Sequence, residues 1–396
     1  MKILLLNYFS RNSTAVLYGL ENQHEFFVAR PYSNSKYEDK FRFAFTPNRY
    51  GELHFYCNPT KDLQQFKDDL LSIIDKTKVD VVIPTGTTVT TALSILKPEL
   101  SKKTLIPVED FKSFSILNEK WSFYNVCNKL NIPIPKTELL QTVDVNVPDK
   151  FSFPFVLKPS FGYSQEGYYL IEDVEQFQKV TKRLKSMDLK INLGSKNMMI
   201  QEYISTWDNS CLYDSAVVSK NGKIISSYSQ RRLVTASSRG GGGILNISEE
   251  IPQIQEYAER IVKYLNWTGV SEFDFIKDKN DKYLCLEANP KIWGTTKLAI
   301  ISGINIPLDL LHAYDCTAYS STSKQNNGIL MKWWIHEGVK YFFEPPFHWK
   351  GFFKKIKSFS KIYLATKVYG SLHNELLKYK LFKVIQSFFY FKNVIK

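Results

Sequence analysis

The 396-residue sequence predicts an α/β domain in its N-terminal third, an α+β unit in the middle and a basic, aromatic-rich, helical tail. Three observations support this order. Apolar strands alternate with helical segments over roughly the first 110 residues, strand–turn–strand pairs dominate the middle, and lysines interleave with aromatic residues near the end. The predicted segments are 1–112, 113–205, 206–320 and 321–396.

The N-terminal third alternates in a regular way. The apolar run ILLLNY predicts a strand, RNSTAVLYGL a helix and FFVAR a second strand. DLQQFKDDLLSIIDKT has apolar residues at helical spacing, and DVVIPTG predicts a third strand that ends in a glycine loop. This alternation predicts a parallel, doubly wound sheet. The sequence contains no GxGxxG motif, so it does not support a dinucleotide site.

The middle of the chain differs in kind. ILNEKWSFYNVCNKLNIPIP predicts a helix that ends at the proline pair, and FPFVLKPSFGYSQEGYYLI predicts a hairpin. A helix, the strand MMIQEYI, a hairpin about the dipeptide NG and the helix IPQIQEYAERIVKYLN follow. These elements predict an antiparallel α+β unit.

Composition limits the classes of protein to consider. The chain is 44% hydrophobic and 23% charged, which is typical of a globular protein. The five cysteines form no CxxC pair, so we expect neither a zinc cluster nor a disulfide framework. The first residues are too short an apolar run for a signal peptide, and no run of about 18 apolar residues occurs. These features predict a cytoplasmic protein.

Two acids stand out in EFDFIKDKNDKYLCLEANPKIWG. Asp274 and Glu287 alternate with apolar residues on two strands that a short polar turn joins, so we expect the carboxylates to lie side by side. Ionised carboxylates at that distance repel unless a cation lies between them, and Asn289 adds a neutral oxygen ligand of the kind that Mg²⁺ accepts. The sequence therefore predicts a metal site. The alternative is a solvated strand face with incidental acids.

A lysine and a flexible loop indicate what such a metal would serve. Lys158 lies at the end of an apolar strand, where a buried ammonium group needs an anionic partner. The following loop contains Gly162 and Gly167, which give its backbone the freedom to close over phosphate oxygens. Lys120 by itself is uninformative, since a single lysine is usually solvated.

In this arrangement the sequence resembles the ATP-grasp superfamily, in particular its carboxylate–amine ligases, from NEKW at Asn118 to NPKIWG at Gly294. Residues 113–205 and 206–320 would then be the two subdomains that clasp ATP. The N-terminal third is similar to the α/β domain that precedes this module in carbamoyl-phosphate-synthase-like proteins. The resemblance implies ATP with Mg²⁺, or with Mn²⁺ as an alternative ion, and the following sites: Lys120 and Lys158 for phosphates; Ser160 to Gly167, including Ser164, for the covering loop; Glu202, Tyr203, Ile204 and Asp208 for the nucleotide; Asp274, Glu287 and Asn289 for the metal.

Two features depart from the family pattern. Lys291 stands where many members have an arginine that faces substrate, so the charge is kept and the bidentate fork is lost. Arg231, Arg232 and Arg239 precede the run Gly240 to Gly243, which predicts a mobile cationic loop that clamps an acyl phosphate or a substrate carboxylate. The alternative for each arginine is an exposed, flexible turn. We expect Arg232 and Lys291 to be the catalytic residues.

The tail carries most of the net charge. Residues 331–396 contain 13 lysines and three glutamates, a net charge of +10 within a total of +13. Lysines interleaved with Phe and Tyr favour a helix in an anionic membrane interface. Packing of the aromatic residues on the preceding module is the alternative. The tail contains no arginine, which makes a nucleic-acid partner the weakest of the three readings.

The resemblance implies an ATP-dependent ligase that activates a carboxylate and joins it to an amine. We expect small-molecule or glycan-linked substrates and peripheral contact with the inner face of the membrane. A catalytically silent ATP-binding regulator or scaffold is the main alternative, and retention of all three metal-ligand candidates speaks against it. An ATP-grasp enzyme with a thioester or another product is a third reading.

Overall fold

The computed structural model describes residues 1–20, 23–32, 52–140, 150–160, 167–191, 198–205, 211–237, 240–318, 321, 324–332 and 368–370. Its first unit is a parallel sheet in the order β3-β2-β1-β4. The strands are β1 (Lys2–Leu5), β2 (Glu25–Pro31), β3 (Leu53–Tyr56) and β4 (Val81–Ile83), and the helices are α1 (Arg11–Leu20), α2 (Leu63–Thr77) and α3 (Thr87–Leu100). The parallel sheet predicted for the N-terminal third is confirmed, with β3 as a strand that the sequence pattern did not reveal.

The helices cover both faces of this sheet, as the doubly wound prediction requires. Side chains alternate across β1, so that Ile3 lies in one apolar cluster with Val16 of α1. Leu4 lies in a second cluster with Leu70 of α2 and Leu93 of α3. The α1 face turns toward the rest of the molecule.

The second unit is a four-stranded antiparallel sheet in the order β5-β8-β6-β7. Its strands are β5 (Thr137–Leu139), β6 (Phe155–Pro159), β7 (Tyr169–Ile171) and β8 (Met198–Glu202), and its helices are α4 (Phe111–Asn118), α5 (Lys120–Lys129) and α6 (Val174–Ile191). The predicted β6–β7 hairpin is confirmed.

The single helix predicted over residues 116–135 is wrong. Glu119 has an extended backbone between α4 and α5, and its carboxylate accepts hydrogen bonds from the backbone N–H groups of Trp121 and Ser122. A carboxylate that caps the first turn starts a new helix rather than continuing the old one. α5 ends at Lys129, before the proline pair.

The third unit is a large sheet in the order β13-β12-β9-β10-β11-β14-β15, antiparallel except for the last pair. Its strands are β9 (Leu212–Lys220), β10 (Lys223–Ser237), β11 (Gly240–Ser248), β12 (Gly269–Lys277), β13 (Tyr283–Asn289), β14 (Leu330–Lys332) and β15 (Val368–Gly370). Helices α7 (Pro252–Tyr264), α8 (Thr296–Ile301) and α9 (Ile306–Ala313) accompany it. In the described parts of the tail, residues 330–332 and 368–370 are strands and residues 321 and 324–329 are neither helix nor strand, while the rest of the predicted tail helix falls on residues outside the described ranges.

One apolar core joins the first and third units. Val16 of α1 and Ile3 of β1 share a cluster with Leu298 of α8, Leu310 of α9 and Val218 of β9. The contact fixes the start of α1 beside the large sheet, where the candidate site lies.

Candidate functional site

Asp274 of β12 and Glu287 of β13 are direct partners in the sheet register. Directly opposed residues project from the same face of a sheet, so the predicted juxtaposition of the two carboxylates is confirmed. Phe273 and Phe275 project to the other face and are fully buried in a separate cluster. The apolar neighbours therefore anchor the hairpin, and the acids remain on the opposite side.

The same register extends the polar row across four strands. Asp214 of β9 opposes Asp274, and Gln230 of β10 opposes Asp214. The Gln230 amide donates to Oδ2 of Asp214 at 2.5 Å. Asp214 was not anticipated from the sequence, because a single acid in LYDSAVVSK gives no sign of which residue it opposes.

Arg232 lies at the centre of this acidic group. Its Nε donates to Oδ2 of Asp214 at 3.1 Å, and its Nη2 donates to Oδ1 of Asp274 at 2.6 Å. Nη2 is also 3.8 Å from a carboxylate oxygen of Glu272, and only 10% of the Arg232 side chain is exposed. The guanidinium group therefore balances three buried carboxylates.

The predicted mobile cationic loop is wrong for the residues that the structure describes. Arg232 belongs to strand β10, and the glycine run begins strand β11, which pairs with β10. Arg231 takes the opposite orientation on β10 and pairs with Glu249. At one of these glycines the reason is close packing, since a Cβ on Gly243 would lie 1.9 Å from Oδ1 of Asn246. Arg239 lies outside the described residues.

Two lysines approach Glu287 from the small sheet and helix α5. Lys120 begins α5, and its Nζ is 3.8 Å from Oε2 of Glu287. Lys158 of β6 is buried, and burial lowers the pKa of its ammonium group to about 7, with Glu287 acting in the opposite direction and Lys120 in the same one. Both lysines thus lie where the sequence predicts cations beside the metal ligands.

Tyr124 ties these elements together. Its hydroxyl accepts hydrogen bonds from Nζ of Lys158 and from Nε2 of Gln201, both at 2.9 Å, and donates to the carbonyl of Leu286. Tyr124 is not among the residues that the sequence pattern predicts for the site. Its position four residues after Lys120 places it on the same helix face, which is the one signal that could have revealed it.

Lys291 and Asn289 lie next to each other at the end of β13. The ammonium group of Lys291 donates to Oδ1 of Asn289. Burial lowers the pKa of Lys291, and the carboxylates of Glu272 and Glu287 act in the opposite direction. A lysine at this position presents positive charge to the cavity in front of the acidic row, by which we mean Asp214, Glu272, Asp274 and Glu287.

A cavity of about 390 Å³ brings the candidate residues together. Of the predicted site residues that the structure describes, it is lined by Lys120, Lys158, Glu202, Tyr203, Ile204, Arg232, Asp274, Glu287, Asn289 and Lys291. Gly167 does not line the cavity. Its backbone has a φ of 75°, a conformation that favours glycine. Ser164 and Asp208 fall outside the described residues.

Comparison with known proteins agrees with this geometry. A family model described as an ATP-grasp domain matches residues 117–295, a range that contains the lysines, Tyr124 and the acidic row. Residues 117–295 are therefore similar to an ATP-grasp domain. That range also contains the whole small sheet and strands β9 to β13 of the large sheet, and both sheets contribute residues to the cavity.

Curated proteins similar to this chain include two enzymes. D-aspartate ligase of Enterococcus faecium is 26% identical over 252 residues, which cover 59% of this chain and 58% of the relative. The carbamoyl phosphate synthase large chain of a Thermoanaerobacter species is 26% identical over 240 residues, or 58% of this chain and 21% of the relative. The chain thus spans less than two thirds of the length of these relatives.

Solved structures share the ATP-grasp fold at low identity. A biotin carboxylase complex from Campylobacter jejuni superposes with a TM-score of 0.66 at 14% identity and covers 83% of this chain and 74% of its own. An L-amino acid ligase from Bacillus licheniformis gives a TM-score of 0.56 at 12% identity, with coverage of 79% and 73%. At these identities the likeness establishes the fold.

Two sets of oxygen donors that could hold Mg²⁺ share Asp274: the predicted ligands Asp274, Glu287 and Asn289, and the cluster Asp214, Glu272 and Asp274. Carboxylate oxygens of Asp214, Glu272 and Asp274 lie within 4.8 Å of one another. Burial, followed by the charges of Asp274 and Asp214, raises the pKa of Glu272 well above its usual value, and burial raises the pKa of Asp274. Hard oxygen donors that repel one another at short range are the ligand set that a divalent cation stabilises.

Across the parts of the chain that the structure describes, every helix is too short or too polar to cross a bilayer.

Proposed function

We propose that the protein is an ATP-dependent ligase that activates a carboxylate as an acyl phosphate and joins it to an amine, with release of ADP and phosphate. The convergence of Lys120 and Lys158 on Glu287, the register partner of Asp274, carries the proposal. Phosphoryl transfer depends mainly on positioning and on neutralisation of charge. Cations and hard oxygen ligands at one wall of a cavity supply both.

The proposed nucleotide site uses residues from both sheets. Lys120 and Lys158 hold phosphate oxygens, and Glu202, Tyr203 and Ile204 contact the base at the end of β8. Ser164, Gly167 and Asp208 complete the nucleotide site in this proposal. Asp274, Glu287 and Asn289 hold Mg²⁺, which when bound neutralises the charge that develops on the phosphate oxygens.

The reaction divides into two steps. A carboxylate oxygen of the substrate attacks the γ-phosphorus of ATP, the bond from that phosphorus to the bridging oxygen breaks, and ADP leaves. The amine nitrogen then attacks the acyl carbon, the bond from that carbon to the phosphate oxygen breaks, and the nitrogen loses a proton as phosphate departs. Lys291 faces the cavity beside Asn289, where its charge stabilises the acyl phosphate.

Arg232 keeps a role in this proposal, although a different one from substrate contact. Because its guanidinium group binds Asp214 and Asp274, it positions the carboxylates from which the metal ligands are drawn. Arg232 therefore acts through Asp274. Its positive charge offsets the repulsion between the carboxylates of Asp214 and Asp274 before Mg²⁺ binds.

The relatives support a small carboxylate and an amine as the substrates. D-aspartate ligase and L-amino acid ligase are named for amino acids, so an amino acid as one of the two substrates is the choice that the comparisons favour. For the other of the two substrates, we propose a carboxylate or an amine on a glycan precursor of the cell envelope.

An assay of ADP release tests the ligase. Purified protein with ATP and Mg²⁺ is given a pool of carboxylates without amines, a pool of amines without carboxylates, or both pools, and amino acids are then tested singly and in pairs. A ligase releases ADP only when both an acid and an amine are present. ATP binding without ADP release from any combination would instead identify a silent nucleotide-binding module.

We further propose that the basic tail holds the enzyme at the cytoplasmic face of an anionic membrane. The net charge of +10 over residues 331–396 supports this placement. Each lysine near such a surface contributes about 1 kcal/mol of binding free energy. The glycan-linked substrate would then lie within reach of the active site.

A further inference from the structure

Arg11 is a cation of the cavity that comes from outside the family-matched range. It is the first residue of α1, in the N-terminal parallel-sheet unit, and the match begins at residue 117. Even so, Arg11 lines the same cavity as Asp274 and Lys291. The N-terminal unit thus contributes a charged side chain to the candidate site.

Two glycines make room for its guanidinium group. A Cβ on Gly294 would lie 2.6 Å from Nη2 of Arg11, and a Cβ on Gly242 would lie 3.2 Å from the same atom. Neither glycine has a positive φ, so their backbones are conformations that any residue can adopt. A side chain at either position would therefore crowd the guanidinium group of Arg11 where it now lies.

Neighbouring contacts fix where the guanidinium group lies. Nη1 of Arg11 donates to the carbonyl of Gly243 at 3.3 Å. The next residue, Asn12, donates from Nδ2 to the carbonyl of Ile292 at 2.6 Å. These bonds attach the start of α1 to β11 and to the segment after β13, and the shared apolar core lies behind them. Arg11 is thus carried by rigid elements and not by a flexible loop.

The position of Arg11 separates it from the phosphate-binding lysines. Lys120 and Lys158 approach Glu287 from α5 and β6, whereas Arg11 lies against β11 and Gly294. A guanidinium group suits a carboxylate better than a lysine does, because its donors match two oxygens at once. The wall formed by α1 is therefore suited to an anionic group of the substrate.

We propose that Arg11 determines specificity by binding a spectator carboxylate, meaning a substrate carboxylate that is not phosphorylated. This inference rests on the proposed ligase function and narrows its substrate class. The carboxylate comes either from the acid, which is then a dicarboxylate, or from the amine, which is then an amino acid. In both cases a substrate whose spectator carboxylate is replaced by an amide binds less tightly.

The experiment compares carboxylate and amide probes in the full-length protein. Succinate against succinamate tests the acid, and glycine against glycinamide tests the amine, with aspartate and asparagine included in both roles. Binding is measured by calorimetry in the presence of Mg²⁺ and a non-hydrolysable ATP analogue, and ADP release is measured with the same probes. The variants are Arg11→Gln, Arg11→Lys and Gly294→Ala, with Arg30→Gln as the control, since Arg30 does not line the cavity.

Arg11→Gln is expected to weaken binding of the preferred carboxylate about 10- to 100-fold, because hydrogen bonds between charged groups contribute about 1.5–3 kcal/mol. Binding of its amide and of the nucleotide should change by no more than about threefold. Gly294→Ala should reproduce this pattern by displacing the guanidinium group without removing it. Arg11→Lys should restore part of the affinity, and Arg30→Gln should leave it unchanged.

Equal loss of carboxylate and amide binding in Arg11→Gln would overturn the inference and indicate a structural role. So would a wild-type protein that prefers none of the carboxylates over its amide. Failure of the ligase proposal gives a different result: carboxylate binding depends on Arg11, but no pair of substrates releases ADP.

Discussion

The ammonium nitrogen of Lys158 lies 2.9 Å from the hydroxyl oxygen of Tyr124, and both side chains are buried. Because the same hydroxyl binds Gln201 and the carbonyl of Leu286, it connects β6, β8, α5 and β13 at one point. These are the elements that position the proposed phosphate and metal sites. The hydroxyl therefore supports the geometry of the site as well as its stability.

Tyr124→Phe should lower the free energy of unfolding by about 1–3 kcal/mol, since it leaves buried polar groups without their partner. Nucleotide affinity should fall as well, because Lys158 loses the group that orients it. Tyr257→Phe is the matched control, as its hydroxyl bonds only to an exposed glutamine among the described contacts. Chemical denaturation and nucleotide titration measure both effects, and equal stability losses in the two variants would contradict the assignment.

The pKa of Lys158 predicts that nucleotide binding takes up a proton. In the nucleotide-free protein this pKa is about 7, so the amine is mostly neutral at higher pH. Phosphate favours the charged form, and calorimetry in buffers of different ionisation enthalpy should detect close to one proton taken up at about pH 8 and little at about pH 6. Lys158→Met should abolish this uptake beyond that of the nucleotide itself. Identical uptake in both proteins would rule out Lys158 as the group.

The same pKa shift has a consequence for stability. An unfolded lysine keeps its proton to a pKa of about 10.5, whereas folded Lys158 releases it near 7. Between these values the unfolded state binds more protons, so this residue makes the folded protein more stable as pH rises through that window. Below pH 7 its buried charge opposes folding.

Arg232→Met should destabilise the protein by about 3–5 kcal/mol, because it leaves buried carboxylates without their cation. Because the pKa values of Glu272 and Asp274 are raised, the folded state keeps protons on these carboxylates that the unfolded chain has lost. Protonation removes the charge that lacks a partner in Arg232→Met, so the stability lost in this variant should shrink as pH falls toward about 5. Arg231→Met, one position away on the opposite face of β10, should change stability by no more than about 1 kcal/mol.

Denaturation at several pH values measures these differences. Mg²⁺ and the guanidinium group of Arg232 both carry positive charge that offsets the same carboxylates. Adding Mg²⁺ should therefore restore part of the stability of Arg232→Met. A deficit that is independent of both pH and Mg²⁺ would show that Arg232 acts through packing alone.

Glu287→Gln should abolish ADP release and weaken metal binding by about 100-fold or more, since even outer-shell partners of a metal contribute about 10- to 100-fold. The fold should persist, because 37% of this side chain is exposed. Mn²⁺ binding followed by electron paramagnetic resonance gives a readout apart from turnover. Glu256→Gln on α7, an exposed carboxylate paired with Arg260, is the control. Unchanged Mn²⁺ affinity would show that Glu287 is not a ligand.

The tail is tested by sedimentation with anionic and neutral vesicles at low and high salt. Full-length protein should pellet with anionic vesicles at low salt, and salt should release it because it screens charge. Protein that ends after residue 370 keeps β15 but loses five of the 13 tail lysines, so it should pellet less than the full-length protein. Equal pelleting of both proteins would favour the alternative that the aromatic residues pack on the enzyme.

The sequence predicted those parts of the site that local pattern determines. Asp274 and Glu287 lie on one hairpin, and the alternation of apolar residues determines which face each acid occupies. Lys158 is marked by the apolar strand around it. By contrast, Asp214 and Arg232 join the site through the strand order β12-β9-β10, which depends on contacts between distant segments. The glycine run was misinterpreted because glycine indicates flexibility in a loop and close approach in a strand.

Tyr124 and Arg11 were missed for a related reason. The spacing of Tyr124 from Lys120 is only a weak signal, and an arginine at the start of a helix has no local feature that distinguishes it from a surface residue. Their roles follow from the packing of three units against one another, which brings α1 and α5 to the same cavity. Sequence patterns of one element do not contain that information.

An apolar cluster joins the N-terminal unit to the large sheet. Because of this cluster, the range that matches the family model is shorter than the range that must be present for the protein to fold. The family match covers residues 117–295. Leu298 and Leu310, which follow this range in the sequence, pack in one cluster with Val16 and Leu20, which precede it. A protein trimmed to residues 117–295 would lose both halves of this contact and expose Val218. We therefore expect the smallest piece that folds cooperatively to extend well past residues 117–295 on either side.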